Sequence, residues 1–258
     1  DSPTHGAGWA LFAHTGLSLA IARGSGKAVA QLGAVARQSG IAVSLHGTGG
    51  AWMIVGDSAN PDDVTSHVLH SLDRKVCNTL NVVAMTNHTS VHNIQAVLNG
   101  ISASASRRDT QAIVHVSRAS QHRLGSCVIP ENLDLRWVDN IDYAHEYEWE
   151  NEPELALYFG TDIHDCVTAF NAHSPQFVVS CLSQDQTEHD LIWRECNAPF
   201  VGNGFTRWVD GQYALKRPEL GLSNWHGGRL LGRGGVLSGD GVHTIRLRTT
   251  QADRDVHR

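Results

Sequence analysis

Short apolar runs alternate with amphipathic stretches along most of this chain, and that alternation restricts the fold more than any single motif. Strand-like runs at 17–22, 41–45, 51–55, 81–85, 111–116, 155–159, 176–182 and 199–201 are separated by helix-like patterns at 28–37, 61–72, 93–98, 163–170 and 187–194. A short continuous apolar run suits a strand buried on both faces, whereas apolar residues three and four apart give a helix one dry side. Strands joined through helices pair in parallel, so the pattern predicts an α/β protein with a largely parallel sheet. At 258 residues the chain is long enough for one large core or two modest ones.

The punctuation supports those boundaries. Asn60 before Pro61 reads as an N-cap with proline at the first helical position. Gly40 closes the helix at 28–37, and Arg23-Gly24-Ser25-Gly26-Lys27 turns a strand into that same helix. A strand–glycine–helix turn offers unpaired N–H groups to a phosphate, although such turns are common in α/β folds. Residues 102–109 read as a polar stretch and 118–154 as mostly loop. Glu146, Glu148, Glu150, Glu152 and Glu154 then read as a solvated acidic face. Near the end, a glycine-rich stretch at 227–241 leads to Val242-His243-Thr244-Ile245-Arg246-Leu247-Arg248, which alternates strictly. A half-polar strand of that kind suits a sheet edge or a neighbouring subunit, so a homo-oligomer is expected.

Composition narrows the partners. A net charge of −6 without a basic run argues against nucleic acid as a partner, and no apolar run is long enough to span a bilayer. Five widely spaced cysteines, with no C-x-x-C, suggest neither a disulfide framework nor a structural zinc site; a reducing, cytoplasmic setting is expected. Two of the sixteen histidines' pairings, His67/His70 and His88/His92, have helical spacing but no local third ligand. They read as solvated or capping histidines, and no metal is expected.

The chemistry centres on Leu72-Asp73-Arg74-Lys75-Val76-Cys77-Asn78-Thr79-Leu80, where a helix runs out, two cations pass and a strand begins. A thiol at such a junction has backbone N–H groups beside it, and the cations favour the thiolate that attacks carbon. Equally, a lone cysteine is often a small buried hydrophobe.

Four motifs resolve the choice by resemblance. Val76-Cys77-Asn78 at its distance from Asp57-Ser58-Ala59-Asn60-Pro61-Asp62, then Asp142-Tyr143-Ala144-His145-Glu146-Tyr147, Asn203-Gly204-Phe205-Thr206-Arg207-Trp208-Val209-Asp210-Gly211 and Pro218-Glu219-Leu220-Gly221-Leu222-Ser223 occur in one order over residues 15–250. Together they resemble the aldehyde dehydrogenase superfamily, and within it the γ-glutamyl phosphate reductases. The resemblance implies an aldehyde-dehydrogenase-like fold. It would comprise a truncated Rossmann-type nucleotide-binding remnant at 1–70, a catalytic domain at 71–205, and a return segment with an oligomerisation strand at 206–258. It also implies NADPH-dependent reduction of γ-glutamyl phosphate to glutamate-5-semialdehyde. Cys77 would be the nucleophile, and the backbone N–H of Asn78 or Cys77 the oxyanion donor. Gly24, Ser25 and Glu146 would meet the NADP cofactor, and Asn203, Thr206 and Arg207 the substrate. His46 falls where hydrolytic relatives carry a water-activating glutamate; a reductase does not need that water.

The chain also departs from the family pattern. Gln-Arg-Pro before the nucleophile is Asp73-Arg74-Lys75 here, and Gly-Ser-Gly-His-Thr is His173-Ser174-Pro175-Gln176-Phe177. Two alternatives therefore stay open: a non-catalytic domain of this fold used in binding or assembly, and a thiol hydrolase or acyltransferase with His46 as base.

Overall fold

In the interior strand β3 (Ala51–Val55) every residue is buried, as the apolar run predicts, and the strand is sandwiched. The computed structural model describes residues 5–208 together with two short strands, 225–226 and 229–230. Met53 and Val55 of β3 point into one apolar layer, Trp52 and Ile54 into the other. The next strand, β4 (Leu80–Thr86), is likewise buried throughout and divides its residues the same way. This period-two division is what a doubly covered parallel strand requires.

The chain enters through a helix, α1 (His5–Phe12), and a parallel pair, β1 (Leu19–Arg23) and β2 (Ala42–His46), joined by α2 (Gly26–Gln38). These two strands form a sheet of their own. After β3 come α3 (Pro61–Ser71), β4, α4 (Val91–Ser106), β5 (Ala112–Ser117), α5 (Gln121–Leu124), β6 (Leu133–Val138) and β7 (Glu154–Gly160). Then follow α6 (Ile163–His173), β8 (Val178–Leu182), α7 (Gln186–Glu195), β9 (Phe200–Gly202), a 3₁₀ turn at Thr206–Trp208, and the antiparallel pair β10 (Trp225–His226) and β11 (Arg229–Leu230). Strands β3 to β9 make one seven-stranded sheet, ordered β6-β5-β7-β4-β3-β8-β9, and every pairing in it is parallel. Helices α3 and α4 cover one face, α6 and α7 the other.

Local signals set the helix ends. Asn60 caps α3 by accepting from the N–H groups of Asp62 and Asp63 at 2.9 and 3.2 Å, an arrangement worth ~1 kcal/mol. Ser90, Asp162 and Asp185 cap α4, α6 and α7 in the same way.

Four expectations need correction. First, α4 runs through the stretch read as polar, because its serines have partners: Ser104 Oγ donates to the Leu72 carbonyl at 2.9 Å and Ser102 Oγ to Asn132 at 2.7 Å. Second, the region read as loop contains β6, an edge strand in which Leu133, Leu135 and Trp137 alternate with exposed Asp134 and Arg136, a period-two signal set among loop residues. Third, the acidic run is not uniformly solvated: Glu146 is engaged in the interior of the site below, and Glu154 bonds His115 at 2.7 Å. Fourth, His67 and His70 are half-buried and not simply solvated; both rings pack on Phe205, at 4.5 and 5.3 Å between centroids.

Hydrogen bonding joins β3, and with it α3, to the later strands, so only the part through β2 stands apart from the seven-stranded layer. The alternating segment 242–248 and the motif at 218–223 lie outside the described residues. No helix among the described residues is long and apolar enough to cross a membrane. Nor, among them, do three or more His, Cys, Asp or Glu side chains gather as a metal site.

Candidate active site

Two sheets meet at a cavity of about 470 Å³ lined by Arg23, Gly24, Ser25, His46, Gly47, Gly49, Lys75, Val76, Cys77, Glu146 and Glu148. Arg23 and His46 are the last residues of β1 and β2 and are register partners. Gly49 and Cys77 lie in the segments leading into β3 and β4. The cavity thus joins the carboxyl ends of the small sheet to the amino ends of the large sheet's central strands.

The turn that carries Cys77 is held from within. Thr79 Oγ1 accepts from the Val76 N–H at 2.9 Å and donates to the Arg74 carbonyl at 2.6 Å, while the Thr79 N–H reaches the Val76 carbonyl at 3.0 Å. The glycines before β3 hold it from the side: the Gly50 N–H donates to the Cys77 carbonyl at 2.8 Å. Gly50 has φ +104°, which a side chain strains to adopt. At Gly49 a Cβ would fall 2.8 Å from Cys77 Cα and 2.8 Å from Glu146 Oε1, so only glycine fits. The glycines at 47, 49 and 50 are the sequence's signal for this close approach.

Cys77 is half-buried and packs against the apolar cluster of Ala51, Phe177, Val178 and Phe200. None of the five cysteines is in a disulfide. Burial pushes the thiols of Cys166 and Cys181 up to about 12 and raises those of Cys196 and Cys127 as well.

His46 is buried, and its Nε2 lies 2.9 Å from Ser44 Oγ. Loss of hydration, reinforced by the Arg23 charge, lowers its pKa to about 4, so the ring is neutral at neutral pH. Its Nδ1 is buried without a hydrogen-bond partner in the protein.

Glu146 was expected at this site and is here; its partners were not expected. Oε1 lies 2.5 Å from Lys75 Nζ and Oε2 accepts the Gly49 N–H at 2.5 Å. Lys75 therefore spends its charge on a carboxylate and does not act simply as a cation for the Cys77 thiolate. Arg74, the other cation of the motif, is exposed. Gly24 and Ser25 sit at the start of α2, where Ser25 Oγ accepts from the Ala28 N–H at 3.4 Å. The thirteen-residue helix α2 points its N-terminus at the cavity, which favours an anion there.

The residues expected to meet substrate are not brought into the cavity. Asn203 is exposed. Thr206 is buried against the end of α3, its N–H donating to Ser71 Oγ at 3.0 Å. Arg207 packs behind the Cys77 turn, with Nε 2.7 Å from Asp73 Oδ1 and Nη1 bonded to Asn78 Oδ1. Asn78 is buried, and its side chain is committed to Arg207.

Comparison with known proteins places the fold. No protein-family model matches the sequence, and no curated protein matches it either. Among solved structures, γ-glutamyl phosphate reductase from Thermotoga maritima is similar with a TM-score of 0.69 and 15% identity, covering 95% of this chain and 56% of that one. An acetylating aldehyde dehydrogenase from Geobacillus thermoglucosidasius is similar with a TM-score of 0.65 and 12% identity, covering 97% and 62%. A Sinorhizobium meliloti dehydrogenase assigned to methylmalonate semialdehyde, complexed with NAD, gives 0.55 and 12%, covering 79% and 48%. The chain has the aldehyde dehydrogenase fold and spans roughly half the length of these structures.

Proposed function

We propose that this chain carries the thiol site of an NADPH-dependent acyl-phosphate reductase, with γ-glutamyl phosphate as substrate and glutamate-5-semialdehyde as product. The observation that supports this most is the convergence of Cys77, His46, the start of α2 and Glu146 on one cavity, from four separate segments. The fold shared with γ-glutamyl phosphate reductase agrees with it.

In this reading the Cys77 thiolate attacks the acyl carbon, the carbon–oxygen bond to phosphate breaks, and the acyl group rests on sulfur. The N–H groups of Cys77 and Asn78 are the proposed oxyanion donors, each worth ~3 kcal/mol in comparable sites. With its pKa lowered to about 4, the buried His46 is too weak a base to activate water well, which disfavours hydrolysis of the thioester. The residues at hand fit one end of a dinucleotide: α2 presents its N-terminus beside Arg23, and each Glu146 oxygen keeps lone pairs for a ribose hydroxyl. A bound reduced nicotinamide would supply the hydride that releases the aldehyde and regenerates the thiolate. Gly24, Ser25 and Glu146 would hold it.

The test is direct. The chain is mixed with freshly generated γ-glutamyl phosphate, quenched in acid and digested. The Cys77 peptide should carry a hydroxylamine-labile glutamyl group that Cys77→Ser lacks. Phosphate release with no adduct on Cys77 would overturn the reading.

A second reading, a binding or assembly role without turnover, draws support from the Lys75–Glu146 pair, which with Gly49 already engages each carboxylate oxygen once. The same experiment separates the two, since a binding domain forms no adduct.

A further inference from the structure

Arg207 does not face the cavity, yet it is one of the most heavily bonded side chains near Cys77. Its side chain is 10% exposed, its Nε lies 2.7 Å from Asp73 Oδ1, and its Nη1 donates to Asn78 Oδ1. Asn78 Nδ2 returns a bond to the Arg207 carbonyl at 3.4 Å. One residue earlier, the Thr206 N–H donates to Ser71 Oγ at 3.0 Å, so the 206–207 backbone is itself anchored to the end of α3. A single guanidinium therefore grips both ends of the turn that carries Cys77, at Asp73 before it and at Asn78 after it.

We infer that Arg207 is a positioning residue for the Cys77 turn, in place of the substrate-binding role its motif implies. Its planar fork serves two acceptors in fixed directions, which a lysine ammonium on a flexible stem does not reproduce. Thr79 ties the turn internally, Gly50 ties the Cys77 carbonyl and Arg108 bonds the Asp73 carbonyl, and Arg207 adds a side-chain restraint that reaches both Asp73 and Asn78. The functional meaning of this restraint rests on the proposed role of Cys77; the restraint itself does not.

Amide hydrogen exchange of the full chain tests it. Arg207→Met should speed exchange in the peptide spanning 73–80 by roughly tenfold and leave β3 and β7 peptides unchanged, because only the local opening is eased. Iodoacetamide should then modify Cys77 about threefold faster as the half-buried thiol opens. Arg207→Lys should fall between, since one ammonium can hold Asp73 or Asn78 but not both. Unchanged exchange at 73–80 in a folded Arg207→Met protein overturns the inference. Should that variant fail to fold, Arg207→Lys decides alone: faster exchange at 73–80 supports the inference, and wild-type exchange overturns it. A wild-type Cys77 inert to iodoacetamide would instead count against the thiol chemistry, and the exchange comparison would still decide the role of Arg207.

Discussion

Lys75 Nζ lies 2.5 Å from Glu146 Oε1, across 71 residues of sequence, with both side chains largely buried at 8% and 15% exposure. Glu148 stands further off, at 3.9 Å, and is exposed. The pair fastens the loop before β7 to the turn before β4, and both side chains line the cavity. Partly buried charges are costly to leave alone, so each holds the other in place.

Lys75→Met should destabilise the chain by about 2 kcal/mol, since Glu146 keeps only the Gly49 N–H. Glu146→Gln in the same background should recover part of that loss, because a neutral amide leaves no unpaired charge. Urea unfolding of the two single variants and the double variant measures the coupling; strict additivity would show that the pair does not act as a unit.

Cys77 should be the first cysteine alkylated near pH 7.5. Cys166, Cys181 and Cys196 are buried thiols with raised pKa values, and burial raises Cys127 too. Peptide mapping after brief iodoacetamide treatment reads the order, and earlier modification of Cys127 would contradict it.

Stability should fall on mild acidification through His46. The unfolded ring binds a proton near pH 6.5, whereas the folded one resists until about 4. Above pH 6.5 both states are neutral and His46 contributes no slope. Between about 6.5 and 4 only the unfolded state gains the proton, so unfolding is favoured increasingly, by roughly 2 to 3 kcal/mol in all. Comparing urea midpoints of wild type and His46→Gln from pH 7.5 to 4.5 isolates this contribution, and parallel profiles would refute it.

Gly49→Ala should be among the most damaging single-methyl additions. The new Cβ would meet Cys77 O at 2.7 Å, Cys77 Cα at 2.8 Å and Glu146 Oε1 at 2.8 Å, two of them backbone atoms that cannot swing aside. A loss of about 2 kcal/mol or more is expected, with altered Cys77 labelling in whatever remains folded. Thermal melts and the alkylation rate check both.

Much of the backbone was legible in the sequence, because strands and helices are written in local periodicity. The burial of β3 and β4, the Asn60 cap and the largely parallel pairing of strands joined through helices follow from residue types within a few positions of one another. Cys77, His46 and Glu146 were legible as candidates through motif resemblance, and the fold gathers them around one cavity. The tertiary structure decided what those residues touch. The polar serines of α4 became helical because Leu72 and Asn132 supply partners, and β6 formed because β5 offered an edge. Lys75 turned to Glu146, and Arg207 to Asp73 and Asn78, at separations of 71, 134 and 129 residues. No local pattern encodes such pairings, since the strength of an ion pair or hydrogen bond depends on distance and dielectric, and both are set only when distant segments pack.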